Sequence, residues 1–346
     1  MNHMKPQIHN LVFLTGSTGL VGAHLLVHLH KSGKKIRALI RTTSSFEQLR
    51  LICNFYNQSF EEIYESVEWV YGNTLDFVGL CDYLEEVEDV YHCAAVVSFN
   101  IKNSKELLQT NIQGTANMVD AAQKCAVSRF CFISSIGALG NAQFGELTNE
   151  KTPWKNDGKA SVYSESKFRS ELEVWRACNE GLNTVIVNPG VILGPGNTEK
   201  GSMLLFQTGR KGMPFYTRAK TGYVDVRDVC RAAIELMEKK HYGKRYILVS
   251  ENVDNKDLFS MIASEFGVKA PKFEAGKTLL RLAAFFSTAI GLFTGKTPQL
   301  TKETIRSAQK SQQYSNQQIK KVLNFEFIPL KKTIQDTSTF LKDHQL

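Results

Sequence analysis

The feature that most constrains this chain is an alternation over its first 190 residues. Apolar, β-rich runs at 11–14, 36–40, 67–70, 90–93, 130–133 and 185–187 are separated by stretches whose apolar residues recur at helical spacing. Strands that alternate with helices join by crossovers, and crossovers build a parallel sheet with helices on both faces. The pattern therefore predicts an α/β fold with a doubly wound parallel sheet. With 346 residues and 42% hydrophobic composition, the chain exceeds one typical domain and can supply a sizeable core. After Pro189 the pattern changes: Gly194, Pro195, Gly196, Gly201, Gly209, Gly212 and Pro214 punctuate it, and the chain is expected to leave the sheet for a smaller lobe. It returns once, through a helical stretch at 227–239 and a strand at 246–249. The expected division is residues 1–190 with 225–250 in the sheet domain, and 191–224 with 251–346 in a mainly helical substrate lobe.

Directly after the first strand stand Thr15, Gly16, Ser17, Thr18, Gly19, Leu20, Val21 and Gly22, followed by an amphipathic helix through Leu25, Leu26 and Leu29. Glycines suit a tight turn in which backbone approaches a pyrophosphate, and the helix N-terminus meets the anion with free N–H groups. A glycine triplet alone is weak evidence. Its place between a strand and a helix, at the start of a βαβ unit, makes it a dinucleotide site. At the end of the second strand, where an acid would bind the ribose 2′-hydroxyl of NAD, the chain carries Arg41. A guanidinium there suits a 2′-phosphate through charge-assisted hydrogen bonds, which favours NADP over NAD.

The fifth strand ends in Ser134 and Ser135, and further along lie Tyr163 and Lys167, four residues apart. On a helix that spacing puts both on one face. An ammonium beside a phenol is expected to lower its pKa and make it a general acid or base for an alcohol–carbonyl interconversion, with Ser135 bonding the same substrate oxygen. Tyr-x-x-x-Lys alone is a frequent accident. It gains meaning beside the glycine turn and a serine at a strand's carboxyl end, where ligands bind in open α/β sheets.

Together these residues resemble the extended short-chain dehydrogenase/reductase family, also called the NAD-dependent epimerase/dehydratase family, and its branch similar to dihydroflavonol 4-reductase and 3β-hydroxysteroid dehydrogenase. The resemblance runs through Thr15 to Gly22, His92 to Ala95, Asn111 to Asn117, Ser134–Ser135, Tyr163 to Lys167, Asn188 to Gly190 and Tyr223 to Val229. It implies a Rossmann-type fold and a Ser135, Tyr163 and Lys167 triad. It also implies that Ala94 and Ala95 line the adenosine side of the cofactor and that Pro189, Gly190, Val191 and Ile192 pack near the nicotinamide. Asn73, before Thr74, stands where the family usually carries an aspartate, with Asp76 just beyond; Asn73, Thr74, Asn111 and Ser134 complete the expected cofactor contacts. Many family members dimerise through the helices carrying Asn111 and Tyr163, so a homodimer is expected.

The residues leave three functions open. A reductase or dehydrogenase of a ketone or aldehyde and its alcohol is favoured. A sugar-nucleotide epimerase would use lobe arginines on a diphosphate, but the segment 215–220 before Asp225 offers only Arg218. Relatives that bind NADP without catalysis commonly lack the tyrosine and lysine, and this chain has both. Lysine and arginine outnumber acids by 42 to 34, a net charge of +8, which suits a phosphate-bearing ligand or simply a solvated basic face. No basic run is interleaved with stacking aromatics, which speaks against nucleic acid as a partner. The seven cysteines are scattered and never spaced C-x-x-C, so reduced thiols and a cytoplasmic location are expected, and the polar first ten residues lack a signal peptide's apolar core. The apolar stretch 282–293 is too short to span a bilayer; residues 279–293 read as a pocket lid or buried helix, with peripheral membrane contact as the alternative. Phe99, Phe206, Phe215 and Tyr216 are candidate pocket or core residues. His24 and His28 share a helix face at zinc-binding spacing, yet no third ligand is near, and solvated histidines are expected.

Overall fold

The computed structural model describes residues 10–97, 104–143, 145–155, 158, 160–197, 201–276 and 311–344. The strands are β1 (Leu11–Thr15), β2 (Lys35–Ile40), β3 (Val67–Tyr71), β4 (Asp89–His92), β5 (Arg129–Ile133), β6 (Asn183–Pro189), β7 (Val191–Leu193), β8 (Phe215–Tyr216), β9 (Lys220–Asp225), β10 (Lys244–Leu248), β11 (Glu251–Asp254) and β12 (Phe273–Glu274). Seven of them form one sheet in the order β10-β6-β5-β4-β1-β2-β3, and every pairing in it is parallel. The order reverses at β1, which pairs with β2 on one side and β4 on the other. Consecutive connections there leave toward opposite faces and open a crevice at the carboxyl ends.

The helices are α1 (Leu20–Lys31), α2 (Glu47–Phe55), α3 (Phe60–Ser66), α4 (Phe77–Tyr83), α5 (Ser104–Leu108), α6 (Gly114–Lys124), α7 (Val162–Asn179), α8 (Met203–Gly209), α9 (Val226–Glu238), α10 (Asn255–Glu265), α11 (Gln317–Leu323) and α12 (Leu330–Asp343), with a π-helical turn at Gln109–Gln113. Along β1 the side chains alternate between two cores. Val12 and Leu14 belong to the cluster with Leu25 and Leu26 of α1 and Val229 and Ala233 of α9. Phe13 belongs to the one with Met118 and Val119 of α6 and Val174 of α7. That period of two is why strands covered on both faces read as nearly continuous apolar runs.

To its helices the smaller lobe adds two sheets that the sequence did not announce: β11-β9-β7, and β12 beside β8. These strands are short and interrupted by glycine and polar residues, so they carry little periodicity to read. The lobe core gathers Leu193, Met203, Phe206, Leu258, Ile262, Ile334 and Phe340. Phe206 is thus core, whereas Phe215 lies exposed on β8 beside Phe273. Phe99 and the stretches 279–293 and 302–309 lie outside the described residues.

The expectation of solvated histidines on α1 is corrected. His24 is fully buried, its Nε2 2.8 Å from the Pro195 carbonyl and its Nδ1 2.8 Å from the Tyr56 hydroxyl. The face of α1 that carries it is roofed by the chain returning from β7, a tertiary cover that helical spacing cannot reveal. Because the carbonyl only accepts, Nε2 carries the proton and Tyr56 donates to Nδ1. Burial pushes the imidazole down to about 4. His28 is half-buried against the same Tyr56 oxygen, at 3.1 Å.

Candidate active site

Thr15 ends β1 and His92 ends β4, and the two are register partners across the crevice. From Thr15 the chain turns sharply: Gly16 has φ +71°, and the Gly19 N–H closes the turn on the Gly16 carbonyl at 2.9 Å. A Cβ on Gly16 would lie 2.8 Å from the Ala94 nitrogen, and one on Gly22 would lie 2.1 Å from the Gly16 oxygen. Both positions exclude a side chain, so bare backbone faces the crevice where α1 begins. The amide N–H groups of that first turn have no intrahelical acceptor. The Ser17 hydroxyl is buried and has no partner among the described residues. A pyrophosphate fits this cradle: it would take the helix N–H groups, and Ser17 supplies a donor in want of an acceptor.

A directed hydrogen-bond chain couples the turn to its surroundings. Ala94 N–H donates to Thr15 Oγ1 at 3.1 Å, Thr15 lies 2.8 Å from His92 Nδ1, and His92 Nε2 lies 3.2 Å from Thr115 Oγ1. Thr115 gives its single proton to the Asn111 carbonyl at 2.6 Å. Thr115 must therefore accept from Nε2–H, and Thr15 must donate to Nδ1. Burial holds His92 near 3 and hence neutral. Asn111 sits in the π turn, a local widening of the helix often found at functional sites. Its amide donates to the Val96 carbonyl and to Ser166 Oγ, both at 3.0 Å, and its Oδ1 accepts from Val96 N at 2.7 Å. The half-buried loop of Ala94 and Ala95 is thereby tied to α7.

Arg41 is exposed just beyond β2, where its backbone N–H donates to Ser44 Oγ at 3.1 Å in a turn that also holds Thr42 and Thr43. Asn73 uses its side chain locally, accepting from the Leu75 N–H at 2.8 Å, while buried Thr74 accepts from Asn117 through its carbonyl. Asp76 caps α4 by accepting from Gly79.

Ser135 follows β5 and caps a short 3-10 turn, accepting from Gly137 N at 3.0 Å. Tyr163 and Lys167 lie on α7, whose first turn is capped by Ser161. The Ser135 hydroxyl bonds the Tyr163 phenol, so the structure brings together serine and tyrosine residues that stand far apart in the chain. Burial pushes the phenol upward, and the Ser135 bond offsets only part of that. The expected depression by Lys167 is thus not what governs this phenol. The lysine is buried, donates to the Ile133 carbonyl at 2.8 Å and lies 4.8 Å from the Phe132 ring centroid. Burial lowers its ammonium to about 8, opposed by Cys93 and Glu171. Pro189 to Ile192 run from β6 into β7 beside this site, where Gly190 N–H donates to the Leu248 carbonyl at 2.9 Å.

Sequence reading missed the polar group beneath Ser134 and Ser135. Glu171, one turn beyond Lys167 on α7, is fully buried and accepts from Ser134 Oγ, from Asn188 Nδ2 and from Arg245. The available signal was its spacing, four residues from Lys167 on the helix face already assigned to the site. Among the described residues no group of three or more His, Cys, Asp or Glu could hold a metal.

Comparison with known proteins agrees with this geometry. The NAD dependent epimerase/dehydratase family matches residues 12–248. A Synechocystis sp. protein named dihydroflavonol 4-reductase is 26% identical over 339 residues, covering 96% of this chain and 94% of that protein. The sterol demethylase protein B of Methylococcus capsulatus is 29% identical over 299 residues, covering 85% of this chain and 86% of that protein. Among solved structures, that of gox2253 superposes with a TM-score of 0.79 at 27% identity, covering 97% of this chain and 98% of the other. Fold, crevice and sequence match agree: the chain belongs to the NAD dependent epimerase/dehydratase family, the extended short-chain dehydrogenase/reductases, and is an oxidoreductase acting on CH–OH groups.

Proposed function

We propose that the chain is an NADP-dependent reductase that interconverts a ketone or aldehyde with its alcohol, using Ser135, Tyr163 and Lys167. The observation that carries this reading is the Ser135–Tyr163 hydrogen bond at the carboxyl end of the sheet, with Lys167 buried on the Ile133 carbonyl. When bound, the reduced nicotinamide supplies a hydride to the carbonyl carbon. The residues do the rest. Burial keeps the Tyr163 phenol protonated at neutral pH, which suits it to give its proton to the carbonyl oxygen as negative charge develops there. Ser135 can bond that same oxygen and orient it. Lys167, held on the Ile133 carbonyl one helix turn from Tyr163, can favour the phenolate left after proton transfer once charge develops there.

Arg41, with Thr42, Thr43 and Ser44 in the same exposed turn, supports NADP: a guanidinium and three hydroxyls can share one phosphate. Ser17, the turn through Gly22, Asn73, Thr74, Ala94, Ala95, Asn111, Ser134 and residues 189–192 are assigned to the cofactor. The reductase reading is preferred to sugar-nucleotide epimerisation because Arg218, the one arginine of the segment 215–220 before Asp225, is paired with Glu274 at 2.7 Å. The seven free thiols support a cytoplasmic location, and no helix of the described residues is long and apolar enough to cross a membrane. Leu172, exposed on α7, supports a homodimer through α6 and α7.

The test is an NADPH-oxidation screen over aldehydes, α-diketones, steroid ketones and flavanonols, with UDP-sugars run in parallel. Carbonyl-dependent consumption of NADPH is expected. Interconversion of a UDP-sugar with no net loss of NADPH would replace the reductase reading by the epimerase one.

A further inference from the structure

The end of β5 is pinned residue by residue. The Ile133 carbonyl accepts from Lys167, the Ser134 hydroxyl donates to Glu171 at 2.5 Å, and the Ser135 carbonyl accepts from Asn188 Nδ2 at 2.9 Å. Asn188 is itself held, since its amide also donates to Glu171 Oε1 at 2.5 Å, while its Oδ1 is buried without a partner among the described residues. Both Asn188 N–H groups are thus committed to fixing Ser135 and Glu171. On the other side, Arg245 of β10 donates to Glu171 Oε2 at 3.2 Å and to the Glu150 carbonyl at 2.8 Å, which fixes the carboxylate in turn. Burial pushes the Glu171 carboxyl upward, and the donors Ser134, Arg245 and Asn188 oppose this by favouring the ionised form. A buried carboxylate with three donors is costly unless every bond is made, so its geometry is rigid.

We propose that Glu171 is a positioning residue: through Ser134 and Asn188 it fixes the backbone of Ser134 and Ser135, and so aims the Ser135 hydroxyl at the Tyr163 phenol. It touches neither substrate nor cofactor. The proposal rests on the Ser135–Tyr163–Lys167 reading for its effect on turnover, and for its effect on Tyr163 on the hydrogen bonds that hold Ser134 and Ser135 together with the Ser135–Tyr163 bond.

The test uses the full chain, with NADPH and 2,3-butanedione as the probe pair. E171M/R245M removes acceptor and partner together, so no unpaired charge stays buried. It is expected to lower kcat about tenfold, within the range that a small misplacement of reacting groups produces, with the KM for NADPH changed less than about twofold. In the S135A background the same pair of substitutions is expected to cost less than about twofold, because the group it aims is already gone. A full tenfold further loss there would overturn the proposal in favour of general structural damage. E171Q/R245M keeps the acceptor oxygen and is expected to stay within about threefold of the parent; a loss equal to that of E171M/R245M overturns the hydrogen-bonding role. A second readout needs no substrate. In protein labelled with ¹³Cζ-tyrosine at neutral pH, with the Tyr163 signal assigned through Y163F, E171M/R245M should move that signal as S135A does. A signal that stays at the parent position refutes the proposal. Unchanged turnover in S135A would instead refute the catalytic reading and leave the Tyr163 signal to decide on Glu171.

Discussion

The two halves of the crevice solve the same problem in opposite ways. The glycine turn is built from eight consecutive residues, and what matters there is side chain left out: a Cβ at Gly22 would stand 2.1 Å from the Gly16 oxygen. The floor under Tyr163 is built from residues of β5, β6, α7 and β10, and what matters there is side chain put in: Lys167 donates to the Ile133 carbonyl, and Glu171 accepts from Asn188 and Arg245. A contiguous cradle should fail when atoms are added, and a dispersed floor when functional groups are removed.

The largest expected effect breaks the floor. Tyr163→Phe and Lys167→Met should each lower kcat by about 10²-fold or more, in the usual range for a lost acid–base group, with Tyr163→Phe binding NADPH nearly as tightly as the parent. Steady-state rates beside fluorescence titration of NADPH check this, and full turnover in Tyr163→Phe would remove the phenol from the mechanism. Gly22→Ala breaks the cradle instead. Overpacking against backbone typically costs about 1–3 kcal/mol, so NADPH affinity should fall roughly 10- to 100-fold while kcat at saturation stays close to the parent value. A Gly22→Ala protein that binds NADPH normally would show that the turn relaxes around a methyl group.

Arg41→Asp sharpens the comparison within the cofactor half. Losing a charge-assisted bond to the 2′-phosphate, worth about 1.5–3 kcal/mol, should shift the ratio of kcat/KM for NADPH over NADH by roughly tenfold or more toward NADH. An unchanged ratio means that Arg41 does not read the phosphate.

The smallest effect concerns pH and joins α1 to the lobe. His24 titrates near 4 in the folded protein against 6.5 for an ordinary imidazole, so between those values the unfolded chain binds the extra proton. Stability is then fully present above about pH 6.5 and is lost as pH falls toward 4, with a slope approaching 1.4 kcal/mol per pH unit for one such group. Replacing it in His24→Gln should flatten the fall of Tm over that window. Parallel curves for parent and variant would mean that Pro195 does not hold a neutral imidazole. His92, pushed down to about 3, adds the same acid sensitivity and keeps the parent curve steep below pH 4.

Much of the sheet was legible in the chain. The runs 11–14, 36–40, 67–70, 90–93, 130–133 and 185–187 all lie in or at the edges of strands β1 to β6, and 246–249 overlaps β10. Strands covered on both faces must be apolar throughout, so composition alone betrays them. The short strands of the lobe gave no comparable signal, because they are brief and broken by polar residues and glycine, as in Lys220, Thr221 and Gly222 of β9. His24 misled for another reason, since helical spacing says which residues share a face but not what covers that face.

The amino-acid sequence by itself determined the alternation of strand and helix, the glycine turn with Arg41 beyond it, and the placement of Tyr163 and Lys167 one turn apart. Those are local properties, set by backbone conformation and by periodicities of two and 3.6 residues. Only the tertiary structure decided that Ser135 meets Tyr163, that His92 links Thr15 to Thr115, and that Glu171 anchors Ser134 and Asn188. The physical reason is burial: polar groups removed from water must find partners wherever the fold brings them, and those partners lie tens of residues away along the chain.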